Sequence, residues 1–146
     1  MTNIVTSGGL MTGVGSATLP AMALVGSSTK RLELLELVIT NTTSTACVWS
    51  LWKISTAGTP GTALPIAAHD VNDAVVGALR GVYTSTAPTL GINLGYQFHI
   101  PASVAGGVAR QFGPIGLIIP AVANAGIALM SAAGQICYAD WTWGEG

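Results

Sequence analysis

Glycine and proline interrupt this chain so often that long helices have little room. The sequence has 146 residues, of which 19 are Gly and 7 are Pro. No window of about 12 residues that is free of Gly and Pro shows a helical period. Instead, short runs rich in Val, Ile, Thr and Trp alternate with turn-forming segments. This pattern predicts an all-β fold, an antiparallel β-sandwich or jelly roll.

The apolar runs and the turn signals between them predict where the strands lie. The predicted strands cover 21–25, 31–41, 45–55, 63–68, 70–76, 79–84, 96–100, 116–119, 126–131 and 135–143. Residues 41–44 (NTTS) have the composition of a tight turn between the second and third of these runs. We therefore expect 31–41 and 45–55 to form a hairpin.

Residues 1–29 differ from the rest of the chain because they contain no charge and are rich in Gly, Ser and Thr. They are predicted to form an extended N-terminal arm, and residues 30–146 to form one β-sandwich domain. The arm has too many apolar residues for a freely solvated tail, so we expect it to dock on another surface. Its candidate docking residues are Ile4, Val5, Leu10, Met11, Leu19, Met22 and Leu24.

Charge is scarce along the whole chain and nearly balanced. Only 8% of residues are charged and the net charge is −1, whereas soluble domains average about 25% charged residues. No basic patch points to nucleic acid or to an anionic membrane. The mean hydropathy is high, at +0.60, but the uncharged stretch 111–139 is broken by Gly and Pro, so no membrane span is predicted. No basic segment precedes an apolar run near residue 1, so no secretory signal is expected.

Residues with catalytic or metal-binding chemistry are few. The sequence contains 6 acidic residues and 2 His, and none of the motifs H-E-x-x-H, C-x-x-C or G-x-S-x-G. The one polar cluster consists of His69, Asp70 and Asp73. These residues are expected to hydrogen-bond to the backbone of the turn in which they lie. Cys47 and Cys137 are expected to be buried or half-buried free thiols that point in opposite directions. We predict neither an enzyme nor a metal or cofactor site.

His99 closes the apolar run 96–100 and precedes a proline. A histidine at a strand end is expected to hydrogen-bond to backbone.

Two strands carry apolar residues on both faces. Alternation places Trp49 with Leu51 on one face of 45–55, and Trp141 with Trp143 on one face of 135–143. A domain of this size has one interior, so these four residues are predicted to form an interface with another subunit, with Trp141 nearer the core. The alternative is that both strands are central and covered on both sides within the monomer.

Several segments resemble, in their order, the small β-rich virion proteins of tailed bacteriophages. The segments are LLELVITNTT (34–43), LWKI (51–54), STAGTPG (55–61), APTLG (87–91), IP (119–120), NAGI (124–127) and GQIC (134–137). The resemblance covers about residues 31–143. Over this range the chain is similar in particular to head decoration (cement) proteins and related head or tail accessory proteins. These motifs are turn and strand patterns, so the resemblance carries over no catalytic residue.

The resemblance implies a β-sandwich or jelly-roll protomer that forms a homotrimer. Its partners would be the major capsid protein or other virion proteins, and its location would be the virion, assembled in the host cytoplasm. The expected function is capsid decoration. The alternative is a receptor- or carbohydrate-binding module of a phage tail or fibre, in which the four tryptophans would form a platform for sugar stacking.

Overall fold

The computed structural model describes residues 3–146, except for the side chains of 132 and 133. Within that range the regular secondary structure consists of eleven strands. They are β1 (Asn3–Leu10), β2 (Met22–Val25), β3 (Leu32–Asn41), β4 (Cys47–Ile54), β5 (Ile66–Ala68), β6 (Ala78–Arg80), β7 (Leu90–Ile100), β8 (Gly107–Gln111), β9 (Leu117–Ile119), β10 (Gly126–Ala133) and β11 (Cys137–Glu145). The all-β prediction is confirmed.

The strands form two antiparallel sheets with the main core between them. The first sheet has the order β5-β1-β11-β3-β8, and β9 also pairs with β3. The second sheet has the order β6-β2-β10-β4-β7. Buried apolar side chains from both sheets form one cluster, so the architecture is that of a sandwich.

Alternation along β11 shows how the sequence fills this core. Cys137, Trp141 and Trp143 are fully buried, whereas Tyr138 and Asp140 on the opposite face are exposed. A strand with one face on the core and one face in solvent has this period of two.

The N-terminal segment belongs to the sandwich, so the extended arm over residues 1–29 is not confirmed. Strand β1 pairs with β11 from Asn3↔Glu145 to Leu10↔Tyr138, and its other side pairs with β5. Strand β2 pairs with β10 and β6. The side chain of Val5 is fully buried in the core. Both strands are therefore integral parts of the two sheets.

Close approach of the backbones of β1 and β11 explains the glycine at position 8. A Cβ atom added at Gly8 would lie 2.6 Å from the carbonyl oxygen of Ala139 and 2.9 Å from Cα of Asp140. Only glycine fits such a contact between neighbouring strands. The low-complexity composition of residues 1–29 suggested an arm, but at Gly8 the small residue is required by packing against β11.

The predicted hairpin between β3 and β4 is wrong, because the two strands lie in different sheets. The turn itself is present and is held by Asn41, which is 1% exposed. Its Nδ2 donates to the carbonyls of Thr45 (2.7 Å) and Pro101 (3.0 Å), and its Oδ1 accepts from Thr43 N (3.0 Å). Residues 42–46 thus carry the chain from one sheet to the other.

A second apolar cluster covers the outer face of the second sheet. Its buried members are Ala23, Ile54, Tyr83, Ala128 and Met130, with Trp52 half-buried beside them. The segments that follow β4 and β6 lie over this face and are fastened by backbone hydrogen bonds, including Tyr83 N to Pro20 O (3.0 Å) and Thr84 N to Thr59 O (3.1 Å). The monomer therefore covers part of this sheet on both sides, so the alternative left open by the sequence holds in part for β4. It does not hold for β11, whose outer face exposes Tyr138 and Asp140.

Three of the four sheet edges are short or interrupted, and the fourth is the 11-residue strand β7. Strands β5 and β6 have three residues each. Strands β8 and β9 follow one line along β3 but are separated by residues 112–116, where Gly113 and Gly116 have φ of 76° and 75°. Beside this interruption, the rings of Tyr96 and Phe112 pack edge to face at 5.0 Å.

We expect the Val5→Asp substitution to unfold the protein or to lower its melting temperature strongly. An uncompensated buried charge costs about 3–5 kcal/mol, a large share of the about 5–15 kcal/mol that stabilises a domain. The matched control is Val104→Asp, because Val104 is 64% exposed and surface changes stay within about 0.5 kcal/mol. Circular dichroism melts measure both. Equal melting temperatures for the two variants would mean that β1 is not part of the core.

Candidate functional site

The four residues predicted to form an interface lie in the core. Trp49, Leu51, Trp141 and Trp143 each have an exposed fraction of 0%. None of them is accessible on the surface of this chain, so the predicted interface is wrong; the expected core position is found for Trp141 and equally for Trp143. Alternation grouped the residues correctly on one face of each strand. On that face of β4, Lys53 reaches solvent because it lies next to the end of the strand.

The seven residues assigned to the docking arm are divided by the fold. Val5, Met11, Met22 and Leu24 are buried, and Ile4 and Leu19 are half-buried. Leu10 is 45% exposed and pairs directly with Tyr138, which is 48% exposed, across β1 and β11. These two side chains form an apolar patch on the outer face of the first sheet.

Within the polar cluster at residues 69–73, Asp70 bonds its own turn, whereas His69 and Asp73 fasten the loop to other segments. His69 N donates to Ile4 O (2.8 Å), and Asp70 Oδ1 accepts from Asn72 N (3.0 Å). Asp73 forms an ion pair with Lys30 at 2.7 Å. The strand predicted at 70–76 is instead a turn and an irregular segment. The expected local role of Asp70 is confirmed.

His99 is exposed, and its Nε2 lies 3.3 Å from Oε1 of the Gln97 side chain. Its bonding partner is thus a neighbouring side chain and not the backbone that was expected.

Among the described residues, no group of three or more His, Cys, Asp or Glu is placed to hold a metal ion. Over the same part of the chain, no helix has the length and apolarity needed to cross a membrane.

The two cysteines meet across the core, one from each sheet. Cys47 on β4 and Cys137 on β11 are both buried and free, with their sulfur atoms 3.7 Å apart. The expectation of buried free thiols is confirmed, but the prediction that they point in opposite directions is wrong. Burial, and then the neighbouring Cys47, raise the pKa of Cys137 to about 12.

A depression that the sequence analysis missed lies on the outer face of the second sheet. Its volume is about 260 Å³. It is lined by Val25, Gly26, Ala57, Pro60, Val76, Ala78, Arg80, Tyr83 and Asn124. Nε of Arg80 and the hydroxyl of Tyr83 are buried there without a hydrogen-bond partner. The sequence shows only that Arg80 and Tyr83 lie three residues apart. The other lining residues come from distant segments of the chain.

The described surface exposes nine large apolar side chains, five on strands and four in connecting segments. They are Leu10, Val48, Ile66, Val71, Ile92, Val104, Ile115, Val122 and Tyr138. Of the four tryptophans, Trp52 is half-buried and the others are fully buried. The tryptophans therefore do not form the exposed platform that sugar stacking would require.

No protein-family model, curated protein or solved structure matches the chain.

We expect Trp141→Ala and Trp143→Ala each to destabilise the folded protomer by about 3–5 kcal/mol, because each removes a fully buried indole. Trp143→Ala also removes the donor that bonds Glu145 Oε1 at 3.0 Å. Melting temperatures measured at two protein concentrations should fall equally at both. Trp52→Ala is the control and should cost less. If the variants dissociate from an oligomer while the melting temperature of the protomer stays unchanged, Trp141 and Trp143 would belong to an interface and not to the core.

We expect an alkaline loss of stability that depends on Cys137. Its pKa is raised from the ordinary 9.0 to about 12 in the folded state, so folding favours the protonated thiol. The resulting stability is fully present below pH about 9.0 and is lost as the pH rises towards about 12. Urea midpoints measured across this range should fall more steeply for the native chain than for Cys137→Ala. Parallel curves would contradict the expected contribution.

Proposed function

We propose that this chain is a jelly-roll structural subunit of a tailed-bacteriophage particle, most specifically a head decoration (cement) protein. The observation that carries the proposal is the strand order. Strands β8 and β9 lie on one line along β3, and β5 and β6 are short additions at two edges. Eight principal strands then remain.

These eight strands pair from the outside inwards. The first pairs with the last (β1 with β11), the second with the seventh (β2 with β10), the third with the sixth (β3 with β8) and the fourth with the fifth (β4 with β7). One long antiparallel ribbon folded over on itself produces this order, which supports assignment to the jelly rolls. That architecture is common in viral capsid domains and in lectin domains.

The scarcity of charge supports an assembly role. With 5 basic and 6 acidic residues in the whole chain, little charged surface would have to be desolvated when the protein packs against neighbours. Burying a charge is costly unless it is paired, whereas burying apolar side chains is favourable. The exposed apolar residues provide such contacts. The partners in the proposal are the major capsid protein and, in a homotrimer, further copies of this chain.

The carbohydrate-binding alternative keeps one supporting observation, since lectins also use the jelly roll. Its other support, the tryptophan platform, is lost because three of the four indoles are fully buried. Decoration of a particle is therefore the function that we propose first.

The proposal can be tested by adding the purified chain to phage heads that were assembled without it. We expect saturable binding, with a copy number that is a multiple of three at each class of lattice site, measured by sedimentation and densitometry. Because few charges take part, occupancy should change little between about 0.05 and 0.5 M salt. The Val5→Asp variant is the control, since a chain that lacks the folded sandwich should not occupy these sites.

The absence of saturable binding to heads by a correctly folded chain would overturn the proposal. Discrete hits of the same chain on a glycan array would then support the carbohydrate-binding alternative.

A further inference from the structure

The edge of the second sheet presents an arginine to a partly enclosed depression. Arg80 is the last residue of β6 and pairs with Ala23 of β2. The preceding Leu79 is fully buried in the core, so alternation directs Arg80 to the outer face. Tyr83 belongs to the segment that lies over the same face and is 2% exposed. The two polar groups therefore line one depression.

Neither of these groups is satisfied within the described structure. Nε of Arg80 and the hydroxyl of Tyr83 are buried without a hydrogen-bond partner. The ion pairs of the described residues are Lys30–Asp73 and Arg31–Glu33, so no carboxylate of this chain neutralises Arg80 there. Arg80 as a whole is half-buried, but its Nε and the Tyr83 hydroxyl are buried, and buried polar groups in folded proteins nearly always have partners. Nε of Arg80 and the hydroxyl of Tyr83 are both hydrogen-bond donors, so the partner that each of them lacks is an acceptor such as an oxygen atom.

The walls define the rest of that partner. Val25, Ala57, Pro60, Val76 and Ala78 supply the apolar half of the lining surface, polar groups supply the other half, and no acidic residue is among the lining residues. The volume of about 260 Å³ is smaller than the roughly 300–1,000 Å³ of pockets for drug-sized ligands. The space suits one acidic group with a short aliphatic chain.

We propose that the depression between β2, β6 and the segment around Tyr83 binds a carboxylate that carries a short aliphatic chain. The planar guanidinium of Arg80 matches a carboxylate in shape and charge, the phenol of Tyr83 donates a further hydrogen bond, and the aliphatic chain contacts Val25 and Val76. Such a carboxylate belongs either to a free short-chain acid or to an acidic side chain of a bound protein.

The protonation state of Tyr83 agrees with its role as a donor. Burial raises the pKa of this phenol above its ordinary value, and the positive charge of Arg80 offsets only part of that effect. The hydroxyl therefore keeps its proton at neutral pH. This inference goes beyond decoration of a particle and does not require it.

Butyrate is the probe for the free acid, and a blocked peptide with a single central glutamate is the probe for a side chain. Titration of the folded chain is followed by NMR, with the amides of Ala78 and Tyr83 as local reporters. We expect at least one of the probes to bind at these amides. Binding of butyrate alone identifies a small-molecule site, and binding of the peptide, alone or with butyrate, identifies a site for a protein side chain. Failure of both probes overturns the proposal.

Variants test the assigned contacts. We expect Arg80→Gln to weaken binding by about tenfold or more, because it removes a charged hydrogen-bonding partner, and Tyr83→Phe to weaken it less. Arg110→Gln is the matched control, because Arg110 lies on β8 of the other sheet and not at the depression. Its guanidinium carbon is 5.0 Å from the ring centroid of Tyr96. The affinity of this variant should be unchanged.

Two results would contradict the proposal even if a probe binds. One is equal binding of butyramide, which lacks the charge, and the other is unchanged affinity in Arg80→Gln. If Arg80→Gln does not fold, Arg80→Lys decides, because it keeps the charge without the planar fork. Its affinity should lie below that of the native chain, and an equal affinity would overturn the role of the guanidinium.

Discussion

The hydrogen-bond ladders on the two sides of β11 are the interaction on which the rest of the structure depends. This strand pairs with β1 on one side and β3 on the other, so the first sheet would separate into two parts without it. Its inward face supplies Trp141 and Trp143 to the core. Its buried Glu145 accepts hydrogen bonds from Val76 N (2.9 Å) and Gly77 N (2.8 Å), which fastens the segment before β6. The first sheet, the core and the segment before β6 thus all depend on β11. The pairing of β11 with β1 joins positions far apart in sequence, and such long-range pairing is typical of slow folding.

The sequence could establish the class of fold because turn residues and strand periodicity are local properties. It also grouped Trp141 with Trp143 correctly, since side chains two residues apart share a face. It could not decide which face was inside. For β4 that choice depends on the segments covering the outer face of the second sheet, such as the one that contains Tyr83. For β11 it depends on which face meets the opposite sheet, and neither set of contacts is local. An apolar strand face looks the same in a sequence whether it is covered by the same chain or by another.

The remaining errors have the same physical origin. Strand β1 was missed because its glycines weaken the strand signal, although Gly8 is required by the approach of Ala139. The turn at Asn41 was recognised from its composition, but a turn does not specify whether the next strand joins the same sheet. The depression at Arg80 combines β2, β6 and five connecting segments, so its walls could not be assembled from periodicity. Its two unpartnered groups became evident only from burial.

The edges of the two sheets have a consequence for contact between copies of the chain. An open edge invites another strand to add to the sheet, and proteins limit this by making edge strands short, bulged or interrupted. Here β5 and β6 are three residues long, and residues 112–116 break the line of β8 and β9. The one long edge, β7, has irregular register against β4, and Gly95 within it has φ of 80°. The sandwich is therefore protected from growing into fibres by continuous sheet extension, and copies that crowd together would meet through their faces and loops.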